Sequence, residues 1–149
     1  MLASTRSVIN YYWSWRRYIE AQLSSYKRYY NPVGLPKPAS SVDSWIIFSV
    51  GEINPKLFAK AKSQLYCVAR DDERDENMIQ IVSDSVAVLD GPPTGKRSFV
   101  LYDKTTGLGI ETIWIEQVFV RQKQAYSPGV SSTLIDIYSR VKTARNAHA

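Results

Sequence analysis

Two long stretches of the chain alternate residue by residue, and this period of two limits the possible folds most strongly. In residues 57–70, small or apolar residues occupy every second position and mainly polar or basic residues lie between them. In residues 110–121, both alternating sets have apolar character. A period of two is that of a β-strand, whose successive side chains point to opposite faces. The chain is therefore predicted to form long strands, and the second stretch is predicted to be central in a sheet.

Three shorter stretches also have strand character. Residues 45–50 are β-branched and aromatic and too few for a helix, and residues 98–102 form a similar short run. Residues 133–142 fit a strand or a helix, and their β-branched content favours the strand. Turns are predicted at 51–55, at 103–109, where two glycines fall together, and at 127–129.

Two helices are predicted from apolar residues at three- and four-residue spacing. The first covers residues 3–30 and ends before the proline-rich segment 31–38, which cannot continue a helix. The second begins within the charged run 70–76 and ends at 90–93.

Together these elements predict an α+β fold. It has an antiparallel or mixed sheet of about five strands, with the N-terminal helix and the second helix packed on it. With 149 residues, one core is expected. The predicted organisation is an amphipathic aromatic and basic helix at 1–30, a proline-rich linker at 31–42, a core at 43–142 and a flexible tail at 143–149.

The residue types that most catalysis and metal binding require are scarce. The chain has one cysteine, Cys67, which is expected to be buried and inert, and one histidine, His148, next to the C-terminus. The segment from Gly91 to Lys96 has one residue too few for a phosphate-binding loop and is followed by Arg97. We therefore predict no catalytic, metal or cofactor site and a protein that is not an enzyme. Catalysis by carboxylates or tyrosines alone is the weaker alternative.

The N-terminal segment interleaves aromatic and basic residues. It can pack on the protein's own sheet, anchor a protein interface, stack on single-stranded nucleic acid, or lie at a membrane surface. A nucleic-acid-binding module is the main alternative to an interface. The predicted interface residues in this segment are Trp13, Trp15, Arg16, Arg17, Tyr18, Tyr29 and Tyr30. Two more come from the predicted strands, Trp45 and Trp114.

The net charge of +5 and pI near 9.3 suit contact with nucleic acid, anionic lipid or an acidic protein without choosing among them. No run of about 18 apolar residues is present, and the N-terminus lacks a secretory pattern. A soluble intracellular product without a membrane span is expected.

The segment from Trp45 to Tyr102, extended by the later strands to about 43–142, resembles the tail terminator (tail completion) proteins of long-tailed bacteriophages. The resemblance is one of order and spacing. It covers a strand at 45–50 that begins with Trp45, a long partner strand whose last residues are 65–71, a short helix and a strand at 99–103. The helix carries Ile79, Val82, Val86 and Leu89.

The resemblance implies a structural protein of the virion neck, assembled in the host cytoplasm. Such a protein forms a homo-oligomeric, hexameric ring that caps the tail tube, ends its polymerisation and docks on the head-tail connector. Non-specific contact with passing DNA would then fall to basic residues facing the lumen. The candidates for that surface are Lys60, Lys62, Lys96 and Arg97.

Overall fold

A computed structural model of the protein describes residues 5–54, 60–70, 74–90 and 98–142. The described helices are α1 (Thr5–Gln22) and α2 (Glu76–Leu89). The described strands are β1 (Lys27–Tyr30), β2 (Ser44–Asn54), β3 (Lys60–Arg70), β4 (Ser98–Tyr102), β5 (Gly109–Val120), β6 (Gln124–Ser127) and β7 (Val130–Lys142). Neither of these helices is both long and apolar enough to cross a membrane.

The described strands form one mixed sheet in the order β1-β2-β3-β7-β5-β4, and β6 also pairs with β7. All pairs are antiparallel except β1 with β2. The predicted α+β fold is confirmed, although the sheet has seven strands instead of about five. The two unpredicted strands, β1 and β6, are four residues each. They are too short for alternation to be visible in the sequence.

Residues 130–142 form strand β7, so the choice of strand over helix for 133–142 is confirmed. The strand pairs with β3 along one edge and with β5 along the other. Strand β5 lies between β7 and β4, which agrees with its two apolar faces. After β5 leaves β7 at the pair Val120 and Ile135, β6 pairs with the start of β7. The unpredicted strand β6 therefore continues β5 along the same neighbour.

The first helix ends at Gln22, so its predicted extension to residue 30 was wrong. Beyond the helix, residues 27–30 pair in parallel with residues 45–48. The guanidinium of Arg28 donates hydrogen bonds to the carbonyls of Leu23 and Ser24, at 3.1 and 2.9 Å, and satisfies groups that a longer helix would have bonded. The helical spacing of residues 23–30 in the sequence could not reveal this long-range pairing.

The turn predicted from Gly51 was also wrong, because β2 continues through Gly51 to Asn54. The pairing with β3 is irregular between Val50 and Ile53, as in a β-bulge. A Cβ atom at position 51 would lie 2.5 Å from the carbonyl oxygen of Lys62. The glycine is thus needed for close approach of two strands. The segment from Gly91 to Lys96, the tail at 143–149 and part of the charged run lie outside the described residues.

Both described helices pack on the same face of the sheet. From α1, Trp15 contacts Phe48, with ring centroids 5.1 Å apart. From α2, the Ser85 hydroxyl oxygen lies 3.5 Å from the sulfur of Cys67. Phe48 pairs with Leu65, and Cys67 lies two residues further along the same strand, so both point to one side. The main core lies between this face and the helices.

Cys67 is fully buried in this core, as expected from its sequence context. Burial raises the pKa of its thiol from 9.0 to about 12. That shift lowers the thiolate fraction at neutral pH roughly a thousandfold, since each pH unit is a factor of ten. We expect alkylation by iodoacetamide at pH 8 to be at least ~100-fold slower in the native protein than in urea. Labelling at equal rates in the two states would contradict this prediction.

Candidate functional site

The sheet has a second face on which neither described helix packs. We call it the helix-free face. Paired residues share a face, so the strand registers identify its members. They include Trp45, Ile47, Lys60, Lys62, Gln64, Tyr66, Val68, Trp114, Gln117, Phe119, Ser132, Leu134, Asp136, Tyr138 and Arg140.

One end of the helix-free face is covered by the proline-rich segment. Trp45 is fully buried there in a small cluster with Ile47 and Val68, against Val42 and Tyr126. The Tyr126 hydroxyl donates to the Pro36 carbonyl at 2.7 Å, and Arg70 donates to the carbonyls of Pro38 and Ala39 at 3.0 and 3.1 Å. Trp45, predicted as an interface residue, is therefore used inside the subunit.

No described segment covers the other end of the helix-free face, which we call its open end. Phe119 is 49% exposed and makes an edge-to-face contact with Tyr138, with centroids 5.9 Å apart. The half-buried Trp114, another predicted interface residue, pairs with Arg140 on this face. Aromatic and aliphatic side chains that water can reach are the usual material of protein interfaces.

Basic residues surround this open end. The register places the predicted lumen residues Lys60 and Lys62 on it, next to Arg140 and Tyr138. Arg121 joins them through its ion pair with Asp136, at 2.6 Å. Sequence reasoning did not select Arg121 or Arg140, because their proximity to the lysines depends on the β3–β7 and β5–β7 registers. Lys96 and Arg97 lie outside the described residues.

Asp136 is the buried acid of this face, with a side chain only 1% exposed. Its carboxylate accepts a hydrogen bond from Arg121 at 2.6 Å and one from Gln64 at 3.3 Å, and it lies 3.9 Å from the ammonium of Lys62. A buried carboxylate requires such donors, because desolvation of an unpaired charge is costly. Asp136 thereby holds two cations in place at the open end.

A groove of about 550 Å³ lies on the other side of the molecule, between α1 and the turn that joins β4 to β5. The guanidinium of Arg16 lies 5.1 Å from the Trp13 ring, and the ammonium of Lys104 lies 4.7 Å from the same ring. The guanidinium of Arg17 lies 3.9 Å from the ring of Tyr102. We call this set the cation–aromatic groove. The described residues that line it are Trp13, Arg16, Arg17, Glu20, Ala21, Tyr102, Asp103, Lys104 and Gly107.

Hydrogen bonds fasten the β4–β5 turn to the helix at this groove. The Asn10 side-chain oxygen accepts from the Lys104 amide at 3.0 Å, and the Ser14 hydroxyl oxygen accepts from the Tyr102 amide at 2.7 Å. Both helix residues are buried, although the helical spacing predicts them on the polar side. These bonds hold the turn against the helix at one side of the groove.

The remaining predicted interface residues are divided between core and surface. Trp15 is fully buried, and Tyr18 stacks on Phe99 at 4.2 Å. Burial raises the pKa of the Tyr18 hydroxyl, which donates to the Val88 carbonyl. Tyr29 packs against the Trp45 cluster, and the half-buried Tyr30 ring lies 4.7 Å from the Arg16 guanidinium. Of the five aromatic residues predicted in 13–30, only Trp13 reaches 36% exposure.

Glu20 lies at the edge of the groove and is already paired. Its carboxylate is 3.0 Å from the Arg28 guanidinium. Partial burial would raise the pKa of this carboxyl, but hydrogen bonds from Tyr30 and Arg28 outweigh it and lower the pKa. Arg28 is thus committed to the helix end and to Glu20, so one basic residue of the N-terminal segment is unavailable to a ligand.

No family model matches the chain, and no curated protein matches it. Among solved structures, a protein without a functional name matches 93% of this chain and 96% of its own, with TM-score 0.59 and 11% identity. That likeness is one of fold. A chain in the structure titled "Virion of native gene transfer agent (GTA) particle" matches over 83% of both chains, with TM-score 0.39 and 14% identity.

Tyr102 and Lys104 complete the groove and were not among the sequence candidates. They come from a segment predicted only as the end of a strand and a turn. The one signal that could have indicated them is the pairing of an aromatic and a basic residue near Gly107, which has φ of 73° and allows the turn. Within the described ranges, no three histidine, cysteine, aspartate or glutamate side chains form a metal site.

Proposed function

We propose that the chain is a structural virion protein of the head-tail junction. It forms a ring that caps the tail tube, ends its polymerisation and docks on the connector. The resemblance to tail terminator proteins supports this proposal, since β2, β3, α2 and β4 follow one another in the expected order. No catalytic step is part of this role.

The open end of the helix-free face is the observation that carries the proposal. Phe119, Trp114 and Tyr138 lie on a face that neither described helix covers. Water-accessible aromatic area of this kind is stabilised when another chain covers it, at about 25 cal/mol for each Å² buried. Repetition of one such contact around an axis yields a closed ring.

The basic residues near the same face give the ring a means of contacting DNA. On the lumen surface, the positive charges of Lys60, Lys62 and Arg121 attract DNA phosphates whatever the base sequence. The partial neutralisation of Lys62 and Arg121 by Asp136 keeps the attraction moderate. DNA that must pass through a ring benefits from contacts of this weak kind.

Native mass measurement and electron microscopy of the purified full chain test the proposal. We expect a ring of several subunits with a central hole, and we expect it to bind the end of tail tubes and stop their growth. A protein that stays monomeric at micromolar concentration, with and without tail-tube protein, would contradict it. A matched check is Phe119→Ser, which should weaken assembly while the monomer keeps its fold.

The geometry favours a protein contact over the nucleic-acid alternative at the N-terminal helix. An aromatic side chain that stacks on a nucleobase must have one face free of other groups. Cations of the same subunit lie over the rings of Trp13 and Tyr102, and Arg28 is held by the helix end. Few aromatic surfaces in this region are left for bases.

A further inference from the structure

The cation–aromatic groove carries three cations that form no ion pair with a carboxylate in the part of the chain that the structure describes. The charge of one of them, Arg16, helps to lower the pKa of Glu20. Arg16, Arg17 and Lys104 each lie over an aromatic ring, and none is within 4.0 Å of a described carboxylate oxygen. A stacked guanidinium keeps its N–H edge available, and that edge matches a carboxylate with two parallel hydrogen bonds. The groove is thus built to receive an acid.

The acidic residues that line the groove do not supply this partner. Glu20 pairs with Arg28. Asp103 is buried, and its carboxylate accepts hydrogen bonds from the amides of Thr105 and Thr106 at 2.8 and 3.1 Å. The missing acid must come from elsewhere.

The sequence contains one concentrated acidic segment, residues 71–76, with five acidic residues among six. It joins the end of β3 to the start of α2. Asp75 of this segment forms an ion pair with Lys123 at 2.7 Å. Most acids elsewhere in the described chain are also engaged within the subunit. These are Glu20, Asp84, Asp103, Glu116 and Asp136.

The described residues on either side of positions 71–73 lie far from the groove of the same subunit. Arg70 pairs with Val130 at the beginning of β7, and Asp75 lies beside Lys123, just before β6. The groove lies at Tyr102, beyond the pair of Thr112 with Lys142 at the end of β7. The 13 residues of β7 span about 40 Å at roughly 3.3 Å per residue. Complementary charges at opposite ends of a sheet can meet only between two molecules.

We propose that the cation–aromatic groove of one subunit binds the acidic segment 71–76 of a second copy. The contact is head-to-tail, so each subunit uses a different surface on each side, and repetition closes a ring when the rotation permits. This inference rests on the proposed function and names a contact that would hold the ring together.

Charge reversal on each side tests the contact, with native mass of the full chain as the readout. Arg17→Glu with Lys104→Glu should raise the concentration for half-assembly at least ~10-fold, and so should Asp72→Lys with Glu73→Lys. The four changes combined in one chain restore opposite charges and should recover assembly. Lys27→Glu with Lys37→Glu, at two exposed positions, makes the same change in net charge and should leave assembly unaltered.

The outcomes separate this inference from the proposed function. A monomeric wild-type protein overturns both. A ring that survives reversal of the groove overturns the inference and leaves the proposed function standing. If charge reversal in the groove abolishes assembly and the variant with all four changes does not recover it, segment 71–76 is not the occupant.

Two further measurements keep the test decisive. The circular dichroism spectrum and melting temperature of each variant should match those of the wild type. If Arg17→Glu with Lys104→Glu loses the fold, Arg17→Gln with Lys104→Gln is tested in its place. If that neutral variant keeps the ring but loses binding of a fluorescent oligonucleotide, the groove serves nucleic acid and the inference is overturned.

Discussion

Replacing Trp15 with alanine should lower the free energy of unfolding by about 3–5 kcal/mol. The indole is fully buried between α1 and the sheet. It contacts Phe48 and Phe99, with ring centroids 5.1 and 4.8 Å away. Truncation would leave a large cavity at the joint that holds the helix on the core. Urea unfolding followed by circular dichroism measures the change.

Trp13 provides the matched control, because it lies two residues away on the same helix and is 36% exposed. Trp13→Ala should cost less than about 1 kcal/mol, since little of its contact area is lost from the core. Similar costs for the two variants would show that the helix is not held by the Trp15 contact.

Replacing Asp136 with alanine should lower the free energy of unfolding by about 2–3 kcal/mol. Its carboxylate is almost completely buried and bonds to Arg121 and Gln64. Both hydrogen bonds involve a charged acceptor, which makes them stronger than neutral ones. The loss is limited because the Arg121 side chain is 56% exposed and can return to water.

Glu116→Ala tests whether the burial of Asp136 is the reason for the expected loss of stability. Glu116 pairs with Arg140 at 3.3 Å, but both side chains are 37% exposed. Exposed pairs contribute about 1 kcal/mol or less, so this variant should be nearly as stable as the wild type. If Glu116→Ala costs as much as Asp136→Ala, the explanation by burial is wrong.

The strands were predictable where the chain alternates over many residues. Residues 60–70 and 109–120 form β3 and β5 because each has apolar residues at every second position. Strands β1 and β6 were missed, since four residues do not establish a period. Strand β1 is stabilised by pairing with β2, which lies beyond the proline-rich segment. Strand β6 is stabilised by pairing with β7, which follows a turn.

The aromatic N-terminal segment shows the same limit for the candidate site. Its composition indicated an interface or a core helix, and both uses occur on one helix. Trp15 is buried and Trp13 is at the surface because the helix rests on Phe48 and Phe99. Residues 13 and 15 are about 200° apart on a helix, so spacing places the two tryptophans on opposite sides of α1. How each side is used depends on the orientation of the helix on the sheet.

By itself, the sequence determined the α+β class, most strands and the scarcity of chemistry-bearing residues, because periodicity and composition are local properties. Only the tertiary structure decided which face of the sheet stays open, which basic residues meet there, and that Tyr102 and Lys104 join Trp13 and Arg17 in one groove. These arrangements depend on strand register and on the pairing of segments far apart in the chain. A register shift of one residue would move every side chain to the opposite face.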